Sequence, residues 1–245
     1  MSRTIIIIPS RMAATRLPGK PLLKINNLPI ISHVVQIAKK TKIGDVFVAT
    51  EDEEIATAVE NNGGKAILTK KHKTGTDRIF EAFKKLKKNK IEYILNLQGD
   101  EPMIDPRDII NLNNLMITNN FEIGTLAAEI KDNKMLNNKN IVKVITKEKL
   151  EEDNYSKALD FSREDLTKKN PNIYHHIGIY AFKTSVLEKF INLDQTNNEI
   201  ENRLEQIRAL DNNIKIMVAL AKSSPIGVDT KEDFLAIKKI MEYKS

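Results

Sequence analysis

Between residues 4 and 118, short apolar runs alternate with longer stretches of helical period, and few folds accept that order. Thr4–Ile8 (TIIII) is β-branched and apolar, as a strand buried on both faces must be. In Pro29–Lys40, Pro29 stands at an early position and Ile30, Val34, Ile37 and Ala38 share one helical face. Strands at Asp45–Thr50, Lys65–Leu68 and Tyr93–Leu97 then alternate with helices at Glu53–Asn62, Asp77–Lys88 and Arg107–Thr118. This β-α repetition predicts an α/β fold: a mostly parallel, mixed central sheet flanked by helices on both faces. Ligands of such sheets sit beyond the carboxyl ends of the strands.

The second half has a different rhythm. Strands are expected at Ile123–Ile130, Ile141–Thr146, Lys157–Phe161 and Tyr174–Phe182 with few helices between them. Helices return at Thr184–Ile191, Glu199–Leu210 and Lys231–Tyr243. There is no repeat and no linker, so residues 1–245 are read as one domain with an excursion at about 131–175.

Composition excludes several classes. The 245 residues contain no Cys, which rules out disulfide frameworks and Cys-ligated zinc or iron–sulfur sites. No apolar run is long enough to span a bilayer, and Ile5–Ile8 is too short for a secretory signal. A cytoplasmic protein with no membrane insertion is expected. The net charge of +6 admits nucleic acid or small anions as partners. Lysine runs such as KKLKKNK (84–90) read as a solvated helix end, and with 5% aromatics and no Trp a base-stacking surface is not expected. No nucleic-acid partner is therefore assigned.

The first chemical feature is the loop after the isoleucine strand, where Arg11, Arg16 and Lys20 are set among Pro9, Pro18, Gly19 and Pro21. It carries neither a dinucleotide fingerprint nor a Walker motif. Side-chain cations can build a phosphate site without them, Arg as a planar fork and Lys as a compact charge. In LNLQGDEPMI (95–104), a strand ends in Gln98, Gly99 and Asp100. Gly99 permits close backbone approach, and Asp100 is placed either to hold a hard cation such as Mg²⁺ or to cap the next turn. In PIGVDTKEDF (225–234), Thr230 with Asp233 forms a capping-box pattern. Asp229 is then either the cap itself or a second metal ligand.

Three further stretches carry candidates. In KTGTDRIFEAF (73–83), Thr76 or Asp77 suits an N-cap, and Arg78 in the first turn opposes the helix dipole, which points to a ligand contact or a salt bridge. In YHHIGIYAF (174–182), His176, Gly178 and Tyr180 share one strand face. In IENRLEQIRAL (200–210), Ile200, Leu204, Ile207 and Leu210 form the buried stripe, with Glu205 and Gln206 on the helix beside it.

Together, IPSRMAATRLPGKPL, VATED, GTDRIFEA, LNLQGDEPMI, HHIGIYAF, LEQIRAL and GVDTKEDF resemble the 3-deoxy-manno-octulosonate cytidylyltransferase (CMP-Kdo synthetase) family, in order and over nearly the whole chain. The chain departs from the family at Asp160-Phe161-Ser162-Arg163, where Tyr-Phe-Ser-Arg and a later Ile-Pro are usual, and at Glu51 and Asn202. The resemblance implies a nucleotide-diphospho-sugar transferase architecture and a reaction: the anomeric hydroxyl of Kdo attacks the α-phosphorus of CTP, giving CMP-Kdo for lipopolysaccharide synthesis and releasing pyrophosphate. It implies Mg²⁺ as cofactor, CTP and Kdo as substrates, and a homodimer formed through the excursion. It also implies roles. Arg11, Arg16 and Lys20 hold the triphosphate; Asp100 and Asp229 hold Mg²⁺; and Lys20, Arg16, Asp100 and Asp229 form the catalytic set. Gly75, Thr76, Arg78 and Gln98 fix the nucleotide. Gln98, Arg163, His176, Tyr180, Glu205 and Gln206 bind Kdo. Two competing readings are a cytidylyltransferase for a related ulosonic acid, such as an 8-amino-Kdo or a sialic-type sugar, and a non-catalytic nucleotide- or nucleic-acid-binding protein.

Overall fold

The computed structural model of the protein describes residues 2–14, 16–88, 90–132, 134–152, 154–167, 170–224 and 227–243. Thr15 in the opening loop, and Pro225 and Ile226 at the head of the last motif, lie outside them. The chain divides into two compact units, Met1–Ile109 with Pro225–Ser245, and Ile110–Ser224.

The elements of the first unit begin with β1 (Thr4–Ser10), a 3-10 turn at Lys20–Leu22 and a small hairpin, β2 (Lys24–Ile25) with β3 (Leu28–Pro29). They continue with α1 (Ile30–Lys40), β4 (Gly44–Thr50), α2 (Glu53–Asn61), β5 (Ala66–Leu68), α3 (Gly75–Leu86) and β6 (Tyr93–Asn96). The helix α4 (Pro106–Asn119) carries the chain across the division. Strands β5, β4, β1 and β6 lie in that order and every pairing among them is parallel. Ile5–Ile8 have no exposed surface. Each such side chain stabilises the fold by about 1.5–3 kcal/mol through burial. The chain winds outward from β1 to β4 and β5, then returns to the other side of β1 with β6. The reversal of winding between β1 and β6 creates a crevice at their carboxyl ends.

The second unit contains β7 (Ile123–Ala128), α5 (Lys134–Asn137), β8 (Lys143–Thr146), β9 (Tyr155–Ser162) and β10 (Ile173–Lys183). It continues with α6 (Thr184–Ile191), α7 (Asn197–Asn202), α8 (Ile207–Asp211) and β11 (Ile216–Leu220). The last helix, α9 (Lys231–Tyr243), belongs to the first unit. The five strands of the second unit close into a ring of pairings: β10 with β7, β7 with β11, β11 with β9, β9 with β8, and β8 with β10.

The protein is α/β with mixed strand pairing, as expected. The expectation of a mostly parallel sheet is corrected, because among the described residues of the second unit only β7 and β11 pair in parallel. Parallel neighbours need long crossovers, and the short connections of residues 123–183 do not provide them. Two smaller corrections bear on function. The helix expected at Glu199–Leu210 is broken at Arg203, which takes a left-handed conformation (φ 53°) and ends α7, so Glu205 and Gln206 lie in the turn between two helices. The strand β11 was missed altogether.

Candidate active site

The crevice at the ends of β1 and β6 holds a cleft of about 340 Å³. The loop after β1 reaches it in a shape set largely by its own backbone. Gly19 N and Ala14 N both donate to Met12 O (3.0 and 2.8 Å), and Met12 N donates to the Asp52 carboxylate (2.8 Å). Gly19, at φ 73°, then turns the chain into Lys20–Leu22, a conformation other residues adopt only with strain. Arg11, Arg16 and Lys20 all line the cleft.

From β6 come Gln98, Gly99 and Asp100. A Cβ at Gly99 would lie 3.0 Å from Ile31 and 3.1 Å from the Pro9 carbonyl, so the close approach of the β1 and β6 ends favours glycine there. The returning C-terminal segment is pinned by Val228 N, which donates to Asp100 O (2.8 Å). Beyond it the capping box forms reciprocally. Asp233 N donates to Thr230 Oγ1 (3.1 Å), and Thr230 N donates to Asp233 Oδ2 (2.8 Å). Asp229 is therefore released from capping. One of its oxygens accepts from Arg16 (2.9 Å) and the other from Lys20 (3.3 Å).

Lys20 is the centre of this cluster. Its ammonium donates to Asp100, to Asp229 and to the Val228 carbonyl. Burial alone would lower its pKa; Asp100, then Asp229, outweigh burial and hold it above the ordinary lysine value. The ammonium stays charged, and two carboxylates converge on a cationic position. Among the described residues no group of three or more His, Cys, Asp or Glu side chains is arranged for a metal ion. The carboxylate pair, completed by phosphate oxygens, is the donor set the cleft offers a hard cation.

The third wall is the start of α3. Thr74, rather than Thr76 or Asp77, is its N-cap, accepting from Asp77 N (3.0 Å). Thr74, Gly75 and Arg78 line the cleft, whereas Thr76 is buried on α3 and does not. The Arg78 guanidinium is 2% exposed and donates to Glu51 (2.6 Å) and Thr69 (3.0 Å), so the salt-bridge reading of this first-turn cation holds while its edge still faces the cleft. Ser10, which the sequence reading passed over, contributes a buried hydroxyl without a hydrogen-bond partner. The cleft lining thus presents four cations, Arg11, Arg16, Lys20 and Arg78, against two carboxylates.

The second unit gathers a different set. His176 and Tyr180 keep adjacent rings, with centroids 5.4 Å apart, although β10 shifts register between Ile177 and Tyr180. The Thr125 hydroxyl donates to Ile179 O (2.7 Å), so the 3.0 Å contact to His176 is donated by Nε2–H. That leaves Nδ1 as the acceptor nitrogen of a neutral ring. Burial, helped by His175, pushes the His176 pKa down to about 3. The Tyr180 hydroxyl is buried. Burial raises its pKa well above the usual value, Glu205 adds to this, and Thr125 opposes it. The Tyr180 hydroxyl has no hydrogen-bond partner among the described residues.

Glu205 is reached by Arg208 (3.9 Å). Arg208 is itself locked in a buried fork on Glu199 (2.8 and 2.6 Å) and stacked 4.8 Å over Phe190. Gln206 opens α8. Arg163 stands apart: its guanidinium lies on the carbonyls of Lys139 (3.1 Å) and Asn140 (3.3 Å). Thr125, Glu199 and Arg208 were missed. Thr125 shows its importance only through its register with Tyr180, which no local pattern announces.

Comparison with known proteins fixes the family. Residues 5–216 match the family model described as Cytidylyltransferase. A 3-deoxy-manno-octulosonate cytidylyltransferase of Nitrobacter winogradskyi is 42% identical, with 98% of this chain and 94% of the relative covered. One from Thermodesulfovibrio yellowstonii is 43% identical, covering 97% and 98%. Among solved structures, a CMP:2-keto-3-deoxy-manno-octonic acid synthetase complexed with CTP superposes with a TM-score of 0.90 at 34% identity over the full length of both chains. A UDP-glucose pyrophosphorylase, at 16% identity and a TM-score of 0.72, shares the fold. A cleft of cations and paired carboxylates at the β1–β6 switch point, in a chain this similar over its whole length, belongs to a member of the 3-deoxy-manno-octulosonate cytidylyltransferase family.

Proposed function

We propose that this protein transfers CMP from CTP to Kdo, giving CMP-Kdo and pyrophosphate, and so activates the sugar for lipopolysaccharide synthesis. The observation that carries the reading is the cluster in which Arg16 and Lys20 meet Asp100 and Asp229 beside Arg11. Arg11, Arg16 and Lys20 bind the triphosphate. Lys20, held protonated, faces the charge that builds on the departing pyrophosphate. Gly75, Arg78 and Gln98 fix the nucleotide, Gly75 by backbone approach, while Thr76, buried on α3, supports the cleft wall from behind rather than touching the nucleotide. The anomeric oxygen forms a bond to the α-phosphorus, the bond to the β-phosphate oxygen breaks, and the hydroxyl proton leaves to solvent.

Mg²⁺ fits Asp100 and Asp229, which already share one cation. When bound it neutralises phosphate charge and lowers the pKa of the attacking hydroxyl. On the sugar side, His176 accepts from a hydroxyl through Nδ1, Tyr180 donates its unused O–H, and Glu205, Gln206 and Gln98 complete the hydroxyl contacts. Arg163 leaves the 139–140 carbonyls to take the carboxylate in a charge-assisted pair. The protein acts as a cytoplasmic homodimer through about residues 131–175; a monomer mass in sedimentation at working concentration would overturn the dimer.

The test is pyrophosphate release from CTP, ATP, GTP or UTP with Kdo, 8-amino-Kdo or sialic acid, with Mg²⁺ or EDTA. Release that needs CTP, Kdo and Mg²⁺ together is expected. Release with another acid alone would move the sugar assignment, and none with any pair, from folded protein, would leave a nucleotide-binding protein.

A further inference from the structure

A lysine with almost no exposed surface is rare, because its charge loses water that must be replaced. Lys143 is such a residue: it opens β8, it is 1% exposed, and its ammonium donates to two backbone carbonyls, those of Asn138 (2.9 Å) and Arg163 (2.8 Å). The same two segments are tied a second time in the opposite sense, since the Arg163 guanidinium donates to the carbonyls of Lys139 and Asn140. One tie is buried and the other exposed. Breaking the outer one frees the Arg163 side chain while the inner one still fixes its backbone.

We propose that Lys143 is a positioning residue for the sugar acid: its buried ammonium anchors the Arg163 backbone, so that the guanidinium can move between the 139–140 carbonyls and a substrate carboxylate from a fixed base. The proposal rests on the reading of Arg163 as the carboxylate partner. A purely structural lysine is a poor alternative, since an apolar residue of the same length would fill this strand position without a buried charge. Burial lowers the Lys143 pKa, Asp165 and Glu164 oppose that, and Arg163 adds to it. The site therefore tolerates the charge rather than favouring it.

The experiment is steady-state kinetics on the full chain with CTP, Mg²⁺ and Kdo, using Lys143→Met, Arg163→Ala and the double variant, with thermal unfolding of each. Arg163→Ala is expected to raise KM for Kdo about 30-fold, and Lys143→Met about 10-fold, with kcat and KM for CTP within about twofold of wild type. Lys143→Met leaves the Asn138 and Arg163 carbonyls without their donor and should melt somewhat lower than wild type while remaining folded at the assay temperature. The double variant should be no worse than Arg163→Ala alone, because one residue acts through the other. Lys143→Arg, which keeps the donors, should recover most of the Kdo affinity. If Arg163→Ala leaves KM for Kdo unchanged, the carboxylate reading fails. If Arg163→Ala raises it but Lys143→Met does not, or the two effects multiply, the positioning role is overturned. Should Lys143→Met not fold, Lys143→Gln, with a neutral and shorter donor, is read by the same coupling to Arg163→Ala.

Discussion

The cleft of the first unit and the His176–Tyr180 cluster of the second solve opposite problems. The first keeps its groups charged and mutually compensated, with Arg16, Lys20, Asp100 and Asp229 partly buried in one network. The second keeps polar groups neutral and buried: an uncharged imidazole, a protonated phenol and one hydroxyl, Thr125, shared between ring and backbone. On the proposed reading the former suits a triphosphate, whose charge grows during reaction, and the latter a polyhydroxylated acid, because an unmatched hydroxyl in a buried polar site is strongly penalised.

The sharpest way to break this contrast is Lys20→Met. It removes charge from the first site and is expected to lower kcat about 1,000-fold, with little change in the KM for Kdo; a loss confined to KM would make Lys20 a simple binding residue. The second site should betray itself in acid. His176 has a folded pKa of about 3 against an ordinary 6.5, so the unfolded chain binds the extra proton first. Stability falls as pH drops from 6.5 toward 3, by up to about 4 kcal/mol. Denaturant titrations of wild type and His176→Gln across that window should converge at low pH; parallel curves would show that His176 is not buried neutral. Next comes Arg208→Met, which strands the buried Glu199 carboxylate and should destabilise the fold by about 3 kcal/mol. Restoration by adding Glu199→Gln in the same chain would sharpen the point. The smallest expected effect is Thr74→Ala, about 1 kcal/mol from loss of the α3 cap, measurable as a lowered urea midpoint with an unchanged slope.

The two sites were also unequally legible. Arg11, Arg16, Lys20, Gln98, Asp100 and Asp229 could be singled out because each lies in a short stretch with its own local signal: cations among Pro and Gly after an apolar strand, Gln-Gly-Asp at a strand end, and an Asp just before a capping box. The second unit hid its logic in register. Thr125 lies opposite Tyr180 only because β10 carries a bulge. The helix break at Arg203 has neither Gly nor Pro to announce it, so Glu205 and Gln206 read as ordinary helix surface. Lys143 looked like any strand residue, since burial of a charged side chain depends on loops packed over it from elsewhere. In α3, the stretch Thr74-Gly75-Thr76-Asp77 offers three cap candidates in four positions, and tertiary packing selected the first.

The first unit is built from two stretches of chain separated by 115 residues, and its charged cluster needs Asp229 from the later one. A ribosome adds about 5–20 residues per second. For several seconds a nascent chain therefore carries β1, β6, Lys20 and Asp100 with neither their second carboxylate nor the Val228 tether. The charged cluster is thus completed late in synthesis, after residues 110–224 have been made.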